Sequence, residues 1–597
     1  MDSIVRTTAR KPLRVWPGLM LSILFLLVRF GLPLLGPDFT IYGVLGGVGL
    51  SLAILLWWLL FSRAPWIERI GAIVLIAAGL YGTLRVVDVS IATGAEGNLL
   101  FALAIPPLFV ALAAWAAATR HFSDPIRRVT LAVTILLALG AWTLVRTGGF
   151  TANFNNDLHW RWTPTPEQRL VAESPKLPPA PAAAPPVLEK TPELKSAPKE
   201  VAIAVPKAEA KALWPGFRGP DRDGVIRGVQ IKTDWTASPP VALWRHAVGP
   251  GWSSFAVSGD RIYTQEQRGS DEIVACYKLR TGEPVWMHRD AARFWESNGG
   301  PGPRGTPTLS QGRVYSLGAT GILSVLGAGN GALVWSHNAA TDTGAKIPEW
   351  GISGSPLVTG DLVIVAASGR LIAYDRESGI RRWTGPSHGA SYSSPQLITI
   401  DGVAHIVLLT STGATGVAVA DGKLLWEHAW KGYPIVQPAL TPDNGLLIAI
   451  ERASGIRRLE VSRGSGVGPD HWTVQERWTS TALKPHFNDF VVHNGHAYGF
   501  DGNIMSCIDL KDGARKWKGG RYGNGQLVLL ADQDLLLVIS EEGELALVSA
   551  TPAEFKEIAR FKAIEGKTWN HPVLVGNTVL VRNGEEMAAF RLSLATK

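Results

Sequence analysis

Cysteine is almost absent from this chain of 597 residues, which contains only Cys276 and Cys507. Each stands six residues before the glycine of a recurring Gly-x-x-x-Trp motif, so the two occupy the same position in different repeats. Equivalent positions of separate repeats in a closed ring lie farther apart than the roughly 7 Å between Cα atoms that a disulfide tolerates. We therefore expect two small buried side chains and no disulfide.

A catalytic constellation and a metal-binding cluster are also missing. His159 lies near Asn155 and Asp157, but a single histidine without a second group of ligands does not indicate a metal site, and we predict none. The net charge is +8. Much of the basic excess flanks apolar segments, where membrane topology explains it better than nucleic-acid binding does. The short loops between these segments carry no signalling motif that would support a sensor.

Long apolar runs are present near the N-terminus. Five stretches, at residues 16–35, 41–61, 67–87, 99–118 and 129–145, approach or exceed the length of about 20 helical residues that crosses a bilayer. The fifth is short, and the sequence leaves open whether it crosses fully. No small-residue cleavage site follows the first stretch, so a removable signal peptide is not indicated. We predict a helical transmembrane anchor of about five spans over residues 1–150.

Basic residues alternate between the loops of this anchor. Arginine and lysine occur before the first span and in every second loop, at Arg6, Arg10, Lys11, Arg14, Arg63, Arg69, Arg120, Arg127 and Arg128. The intervening loops contain Asp38, Asp88 and Glu96 without lysine or arginine. Basic loops stay in the cytoplasm. We therefore expect a bacterial inner-membrane protein with a cytoplasmic N-terminus and everything beyond the fifth span in the periplasm.

Two arginines fall within or near the ends of the apolar stretches. Arg29 lies inside the first, and Arg85 lies three residues before Asp88. Intramembrane charges often mark a quinone or proton site, whereas a long side chain can also reach the interface and pair there. We expect Arg85 to pair with Asp88, and both interpretations stay open for Arg29.

Residues 151–212 differ in composition from both flanking regions. Trp160 and Trp162 are typical of a membrane interface, and the following Thr-Pro-Thr-Pro run cannot continue a helix. Residues 173–211 are rich in Pro, Ala, Lys and Glu and almost free of aromatic residues, so they cannot bury a core. This composition predicts an interfacial neck and a disordered tether with a maximum reach of roughly 120 Å at about 3.1 Å per residue.

A Gly-x-x-x-Trp motif ends five β-rich stretches, with tryptophan at positions 286, 335, 383, 426 and 517. The intervals between them are 49, 48, 43 and 91 residues, the last equal to about two repeats. A period of 40–50 residues that carries several short strands is typical of a β-propeller. The tryptophans are most simply packing residues between blades.

Eight inner strands are predicted from the repeats, beginning near Ser253, Thr306, Gly354, Ser393, Gln437, Asn488, Asn524 and His571. The fifth blade ends irregularly near Trp478, and the eighth runs out near Leu592 after three strands. The unmatched segment that begins at Val241 can supply its fourth strand, which closes the ring and removes exposed sheet edges. Residues 213–597 are therefore predicted to form an all-β eight-bladed propeller closed by an N-terminal outer strand.

Three motifs resemble proteins with pyrroloquinoline-quinone-like (PQQ-like) propeller repeats. They are Trp214-Pro-Gly-Phe-Arg-Gly-Pro-Asp-Arg-Asp-Gly224, Gly302-Pro-Arg-Gly-Thr-Pro307 and Val314-Tyr-Ser-Leu-Gly-Ala319. The resemblance covers about residues 213–592 and implies the same propeller fold. A multi-span anchor ahead of such a propeller is also similar to the layout of membrane-bound quinoprotein glucose dehydrogenase.

The chain departs from the quinoprotein dehydrogenases that it resembles. Those enzymes usually have a longer propeller with insertions, and their alcohol-oxidising members carry a disulfide of adjacent cysteines over the cofactor. This chain has no adjacent cysteines, and it shows no clear counterpart of their calcium-ligand and catalytic-aspartate motif. The compact repeats look more like the propeller lipoprotein of the outer-membrane barrel-assembly machinery, which binds proteins and carries no cofactor.

Residues that precede each inner strand are expected to meet at one mouth of the central channel. The candidates are Trp252, Arg304, Trp350, His388, Tyr392, Gln437, His486, Asn488, Asp489, Asn524, Trp569 and His571. Aromatic surfaces interleaved with orienting polar groups are what a ligand site needs, although propeller loops are commonly polar without one. The three histidines in this set could approach one another.

Two functions follow from these observations. The favoured one is a membrane-anchored module outside the cytoplasm that binds a protein or small ligand as a scaffold, without a cofactor. The alternative is an oxidoreductase of sugars or alcohols that holds PQQ and calcium at Arg304, Asn488, Asp489 and Trp569 and reduces membrane quinone, with Asp489 as the catalytic residue. Replacing Asp489 with alanine is expected to abolish activity in the second case and to leave the fold intact in the first.

Overall fold

The structure is a computed structural model that describes residues 13–36, 39–151, 156–173, 212–449, 454–464 and 471–595. The chain folds as two compact units, one of residues 1–164 with 296–300 and the other of residues 165–295 with 301–597. Several residues used in the predictions lie outside the described part, namely Arg6, Arg10, Lys11, Asp38, Asn155 and most of the tether (174–211).

Five helices of the first unit are long and apolar enough to cross a membrane. They are Trp16–Leu35, Thr40–Phe61, Trp66–Leu84, Leu99–Ala118 and Asp124–Leu144. A short helix, Val89–Ala92, and a hairpin of strands Val145–Phe150 and Asn156–Trp160 complete the unit. The five predicted helices are confirmed. The fifth has 21 residues, which corresponds to about 31 Å of helix and matches a hydrocarbon core of about 30 Å.

Small residues bring the first two helices together. The second helix buries Gly43, Gly47 and Ser51 on one face. A Cβ atom at Gly43 would lie 3.1 Å from the carbonyl oxygen of Val28 in the first helix. Helices approach this closely in membranes only where side chains are small, because packing rather than the hydrophobic effect holds them together.

The predicted pair of Arg85 with Asp88 does not form. Arg85 instead donates a hydrogen bond to the Tyr81 hydroxyl at 2.7 Å and lies over its ring. Asp88 accepts a bond from the backbone N–H of Ser90 at 3.0 Å, and its other carboxylate oxygen lies 3.7 Å from Arg161. The prediction was wrong because Asp88 caps the following short helix and meets an arginine from the hairpin. Arg29 lies against the ring of Phe30.

The second unit is a ring of eight blades of four antiparallel strands each, which are numbered 1 to 8 in the order of their inner strands. In blade 7 a short fifth strand, Val225–Ile226, is added in parallel to the inner strand. Blade 1 consists of Ala256–Ser258, Arg261–Arg268, Asp271–Lys278 and Pro284–Asp290, and blade 2 of Thr308–Ser310, Arg313–Leu317, Ile322–Gly327 and Leu333–Asn338. Blade 3 consists of Leu357–Thr359, Leu362–Ala367, Arg370–Asp375 and Arg381–Ser387, and blade 4 of Gln396–Ile400, Val403–Thr410, Gly413–Ala418 and Leu424–Ala429.

Blades 5 to 8 follow the same order from the inner to the outer strand. Blade 5 consists of Ala439–Leu440, Gly445–Ile448, Ile456–Arg463 and Trp472–Ser480, and blade 6 of Val491–His493, His496–Asp501, Ile504–Asp509 and Arg515–Arg521. Blade 7 consists of Gln526–Leu530, Leu535–Ile539, Glu544–Ser549 and Glu557–Lys562, and blade 8 of Val573–Val575, Thr578–Arg582, Glu586–Arg591 and Val241–Ala247. The predicted eight-bladed propeller is confirmed.

Ring closure joins the two ends of the propeller sequence. Val241–Ala247 pairs antiparallel with Glu586–Arg591, as predicted. Arg582 of blade 8 is fully buried and donates hydrogen bonds to the carbonyl oxygens of Gln265 at 2.9 Å and Gly249 at 3.0 Å. The last blade therefore takes its outer strand from the segment that leads into blade 1, and a buried cation ties it to blade 1.

Tryptophan side chains link successive blades, as the sequence predicted. The indole N–H of Trp286 donates to the carbonyl of Ala328 at 3.0 Å, and that of Trp383 donates to Val419 at 3.0 Å. Trp244, Trp335 and Trp478 make the same bond to the next blade. Each acceptor lies three residues before the glycine of that blade. Trp426 differs, because its N–H donates to His405 of its own blade.

Both cysteines are buried and free, as predicted. Cys276 pairs in register with Trp286, and Cys507 pairs with Trp517, so each faces the docking tryptophan of its own blade. Burial raises the pKa of both thiols to about 12. Neither cysteine is therefore present as a reactive thiolate at neutral pH.

A short helix, Pro166–Glu173, lies against blade 1 within the second unit. The Glu167 carboxylate accepts a hydrogen bond from the backbone N–H of Gly269 at 2.8 Å and two from Arg293 at 2.7 and 3.0 Å. This helix falls in the region 151–212 that the sequence predicted to be neck and tether, and Glu167 is the residue that it buries.

Candidate functional site

The segment 214–226, which we call the channel segment, lies among the inner strands. Trp214 forms a β-bridge with Val257 of blade 1, and Val225–Ile226 pairs in parallel with the inner strand of blade 7. Between these points the segment contacts blades 2, 3, 4, 6 and 8 through hydrogen bonds and a ring contact. Because inner strands surround the axis of a propeller, a segment that touches seven of them occupies the central channel.

A belt of hydrogen bonds runs around this channel from blade 1 to blade 7, near the start of the inner strands. The backbone N–H of one blade donates to a side-chain oxygen of the next, as in Thr306 to Ser355 at 2.9 Å and Ser355 to Ser394 at 2.9 Å. Ser254 to Thr306, Ser394 to Gln437, Gln437 to Asp489 and Asp489 to Gln526 continue the series. The acceptor is supplied by serine, threonine, glutamine or aspartate. The belt therefore explains, without a ligand, the type of residue at the start of the inner strands of blades 2 to 7.

Asp489 is the belt member of blade 6 and is almost fully buried. Its Oδ1 accepts a bond from the N–H of Gln437 at 2.8 Å and lies 3.3 Å from the Arg218 guanidinium, and its Oδ2 lies 3.2 Å from Nε2 of His571. Burial acts to raise the pKa of Asp489, but Arg218, His571 and the Gln437 N–H hold it below its usual value. The carboxylate is thus charged and fully engaged by protein groups.

The channel segment supplies the cations that fill the axis. Arg218 is buried and also donates to the carbonyl of Phe490 at 2.6 Å. Arg222 donates to the carbonyls of Ser355 at 3.2 Å and Pro356 at 2.9 Å. Burial and the nearby Arg218 lower the pKa of Arg222 to about 10, so it stays protonated at neutral pH. These two arginines hold blades 3 and 6 from the inside of the ring.

At the mouth, where the inner strands begin, aromatic residues of blades 1, 6 and 8 form a first platform. The Trp252 and Trp569 rings lie 4.6 Å apart, and Phe487 lies 4.7 Å from Trp569. The indole N–H of Trp569 donates to Glu541 at 2.8 Å. The Lys567 ammonium lies 4.4 Å from the Trp569 ring and 5.5 Å from the Trp252 ring. The platform is half-buried and carries a cation on its surface.

A second platform lies across the mouth on the side of blades 2 to 4. Trp350 lies 4.8 Å from Tyr392, and the Arg304 guanidinium lies 5.0 Å from the ring of Phe294. Arg304 also donates to the carbonyl of Gly302 at 2.7 Å. The indole N–H of Trp350 has no acceptor within the described residues. Both platforms combine an aromatic surface with a positive charge.

The structure divides the predicted mouth residues into two groups. Trp252, Arg304, Trp350, His388, His486 and Trp569 are half-buried at the mouth, whereas Tyr392, Gln437, Asn488, Asp489, Asn524 and His571 are buried below it. Asn524 is held by Glu541, and the Asn488 side chain accepts a bond from the N–H of His486.

The three histidines have separate neighbours. His388 lies 3.9 Å from Glu427, His486 contacts the ring of Phe487, and His571 contacts Phe217 and Asp489. No group of three His, Cys, Asp or Glu side chains that could hold a metal ion occurs within the described ranges.

The residues present do not fit PQQ and calcium in the arrangement that the sequence suggested. Calcium takes six to eight oxygen ligands, but both oxygens of Asp489 already contact cations or N–H donors. Arg218 would add a repelling positive charge beside the ion. Asn488 is buried with its oxygen already bonded, and Arg304 and Trp569 lie in the two separate aromatic platforms.

Sequence reasoning missed Glu272 of blade 1, which lies near the mouth. It is 3% exposed, and its Oε1 accepts a hydrogen bond from the N–H of Ala319 in blade 2 at 3.1 Å. Burial raises the pKa of Glu272 to about 7, and the adjacent Asp290 adds to the effect. An alternation of polar and apolar residues along the strand could not reveal Glu272, because both faces of this strand are buried between blades.

Comparison with known proteins agrees with this architecture. The family model described as outer membrane protein assembly factor BamB matches residues 235–347 and 270–519. BamB of Yersinia pestis is 22% identical over 328 residues, which cover 52% of this chain and 70% of that protein. BamB of Moranella endobia is 24% identical over 266 residues, which cover 41% of this chain and 64% of that protein, slightly less than two thirds.

Among solved structures, a quinohemoprotein alcohol dehydrogenase of Pseudomonas putida aligns with a TM-score of 0.48 and 14% identity, over 65% of this chain and 81% of its own. The repeat signature, the eight four-stranded blades and the family match all concern the same part of the sequence. The chain is a β-propeller of PQQ-like repeats preceded by five long apolar helices.

Proposed function

We propose that this protein is a membrane-anchored binding and scaffold module whose propeller mouth contacts a protein partner. One observation carries the proposal: the buried Asp489 carboxylate in the channel is used by the hydrogen-bond belt and by Arg218 of the channel segment. The mouth presents the two aromatic platforms and their cations to a partner. Aromatic residues and arginine are the side chains most often central to protein interfaces.

The similarity to two proteins named as outer membrane assembly factors supports a protein partner. The oxidoreductase alternative has less support, because both carboxylate oxygens of Asp489 are already engaged by protein groups. The partner class that fits best is a protein that presents apolar and acidic side chains, because each platform pairs a ring surface with a positive charge.

A periplasmic propeller forms part of this proposal. Arg14, Arg63, Arg120 and Arg128 all lie next to the same ends of the five helices, and basic ends stay in the cytoplasm. An odd number of spans then places the propeller on the opposite side.

Reporter fusions test this orientation. Alkaline phosphatase fused after the last blade should be active, and a green fluorescent protein fused at the same point should be dark. The reverse pattern would place the propeller in the cytoplasm and contradict the proposal. The same two reporters fused after residue 121, in the loop between the fourth and fifth helices, provide the internal control and should give the opposite result.

Site-specific crosslinking in intact membranes tests the partner. Tyr433 lies in a mouth loop and is 65% exposed, whereas Ile380 lies at the opposite end of blade 3 and is 67% exposed. A photoreactive phenylalanine analogue at position 433 should give a discrete crosslinked protein, and the same analogue at position 380 should not.

Two results would argue against the scaffold function. Equal crosslinking from positions 433 and 380 would show that the partner does not bind specifically at the mouth. Saturable one-to-one binding of PQQ with calcium to the purified protein, followed by absorbance titration and calorimetry, would favour the oxidoreductase instead. No binding at high micromolar cofactor agrees with the scaffold.

A further inference from the structure

Six arginines surround one end of the helical unit, and we call this group the basic collar. They are Arg14, Arg63, Arg69, Arg120, Arg127 and Arg128. Contacts place them at a common end: the N–H of Arg14 bonds to the carbonyl of Ser62 at 3.0 Å, and Arg127 is paired with Glu68 at the start of the third helix. Glu68 and Asp124 are the acids among the same helix ends, so positive charge is in excess.

Two of these arginines are buried without full compensation. Arg69 is 9% exposed and donates to the carbonyls of Ala64 at 2.7 Å and Leu59 at 2.5 Å, but no carboxylate pairs with it in the described ranges. Arg127 is 8% exposed, and its Nε–H has no acceptor among the described residues. Arg69 also lies over the ring of Trp66, but neither the ring nor the carbonyls carry a negative charge. Buried cations in excess of carboxylates favour an oxygen anion nearby.

The surrounding structure adds to the positive potential. The third and fifth helices, Trp66–Leu84 and Asp124–Leu144, both begin at this end, and helix N-termini attract anions. Arg128 is close to the buried pair, with its Nε 3.9 Å from Glu68, yet its side chain is 48% exposed. It is therefore positioned to contact a group that approaches from outside the bundle.

Apolar side chains next to these arginines face outward. Ile67 and Ile70 on the third helix are 64% and 56% exposed, and Ile126 and Val129 on the fifth are 53% and 64% exposed. In a membrane these surfaces contact acyl chains, while the arginines lie at the level of the headgroups. A ligand for this place carries a negative oxygen group above two hydrocarbon tails.

We propose that the basic collar, centred on Arg69, Arg127 and Arg128, binds the phosphate of an anionic phospholipid. Basic pockets between helices on the positive side of a membrane protein are suited to such headgroups. A zwitterionic lipid offers the same phosphate with a cation attached, which the surplus arginines repel. The bound phosphate would contact the exposed Arg128 side chain and offset the surplus positive charge of the buried Arg69 and Arg127.

Lipid selectivity of the full-length protein tests this proposal. The protein is placed in nanodiscs with equal amounts of phosphatidylglycerol and phosphatidylcholine and released for native mass spectrometry. Wild-type protein should retain phosphatidylglycerol in clear excess. Arg128→Gln should reduce that excess about five-fold, the effect of one basic residue near a membrane surface. Arg85→Gln, which removes an exposed arginine near the opposite end, should leave it unchanged.

Three outcomes would overturn the proposal. One is the absence of phosphatidylglycerol enrichment in the wild-type protein, and another is an equal loss in the Arg128→Gln and Arg85→Gln variants. The third is displacement of the retained lipid by millimolar inorganic phosphate, which would identify a site for the free ion. A melting curve of each variant in the same nanodiscs checks that the helical unit is still folded.

Discussion

Replacing Arg218 with alanine should lower the free energy of unfolding of the propeller by about 3–5 kcal/mol, the typical cost of breaking one partner out of a buried ion pair. The reason is that Asp489 would keep its charge in a site from which water is excluded. Both side chains are nearly inaccessible, at 2% and 4%. Unfolding of the full-length protein in detergent, followed by tryptophan fluorescence against urea, measures the change.

A second variant separates the ion pair from the hydrogen-bond belt. Blades 3 and 4 place serine where blade 6 has Asp489. The double substitution Arg218→Met with Asp489→Ser should therefore recover most of the loss, to within about 1–2 kcal/mol of the wild type, because a buried pair can be replaced by neutral groups of similar size. Lys278→Ala, which breaks an exposed pair with Glu283, serves as the control and should leave the stability nearly unchanged, because solvent screens such pairs.

The effect of Arg218→Ala should also depend on pH. The pKa of Asp489 is lowered in the folded protein, so its contribution is complete above the unfolded value of about 3.9 and is lost as the pH falls through the folded value. The stability difference between wild type and variant should be constant from pH 5 to 8 and should shrink in stronger acid. A difference that stays constant down to pH 2 would contradict the role of the charged pair.

This role changes the meaning of an Asp489→Ala experiment. The sequence suggested that such a variant would test catalysis while leaving the fold intact. The structure instead places Asp489 between Arg218, His571 and the belt. An inactive Asp489→Ala variant could therefore have an unfolded propeller or could lack a catalytic group. The stability of the variant must be measured together with its activity to distinguish the two.

Much of the architecture was predictable because it follows from short-range rules. The period of the Gly-x-x-x-Trp motif indicated a propeller, the eight inner-strand starts indicated the number of blades, and the unmatched strand Val241–Ala247 indicated how the ring closes. The length and hydropathy of the apolar stretches gave the five helices. Each of these depends on residues that are close together in the sequence or that repeat at a fixed interval.

The interior of the channel could not be predicted in the same way. Arg218 and Asp489 are separated by 271 residues in the chain, and nothing local marks them as partners. The belt residues were recognised as inner-strand starts, but their shared function as acceptors depends on the register between neighbouring blades. Trp426 breaks the docking rule, since its N–H bonds to His405 of its own blade. The missing Gly-x-x-x-Trp turn in blade 5 does not explain this, because Trp517 still donates to Thr551 of blade 7, which also lacks that turn. These features depend on contacts between residues that are far apart in the chain, and the local sequence does not reveal such contacts.

Substituting Gly422 with alanine should destabilise the propeller by about 2–4 kcal/mol, because two penalties combine there. Gly422 has a φ of +70°, which L-residues rarely adopt, and a Cβ atom would lie 2.4 Å from the Trp383 ring. Trp383 cannot move away easily, since its N–H is bonded to Val419 in the same turn at 3.0 Å. The shift in the urea midpoint of the full-length protein measures the loss.

Gly402 provides a matched control in the same blade. Its φ is +74°, but a Cβ atom at this position would have no atom within 4 Å, so Gly402→Ala should cost only the backbone strain of about 1 kcal/mol. In a Trp383→Ala background, which is itself destabilised, the additional cost of Gly422→Ala should fall to that of the control. If Gly422→Ala costs the same with and without Trp383, the glycine is required for its turn alone. The Gly-x-x-x-Trp signature would then mark two independent features instead of one inter-blade contact.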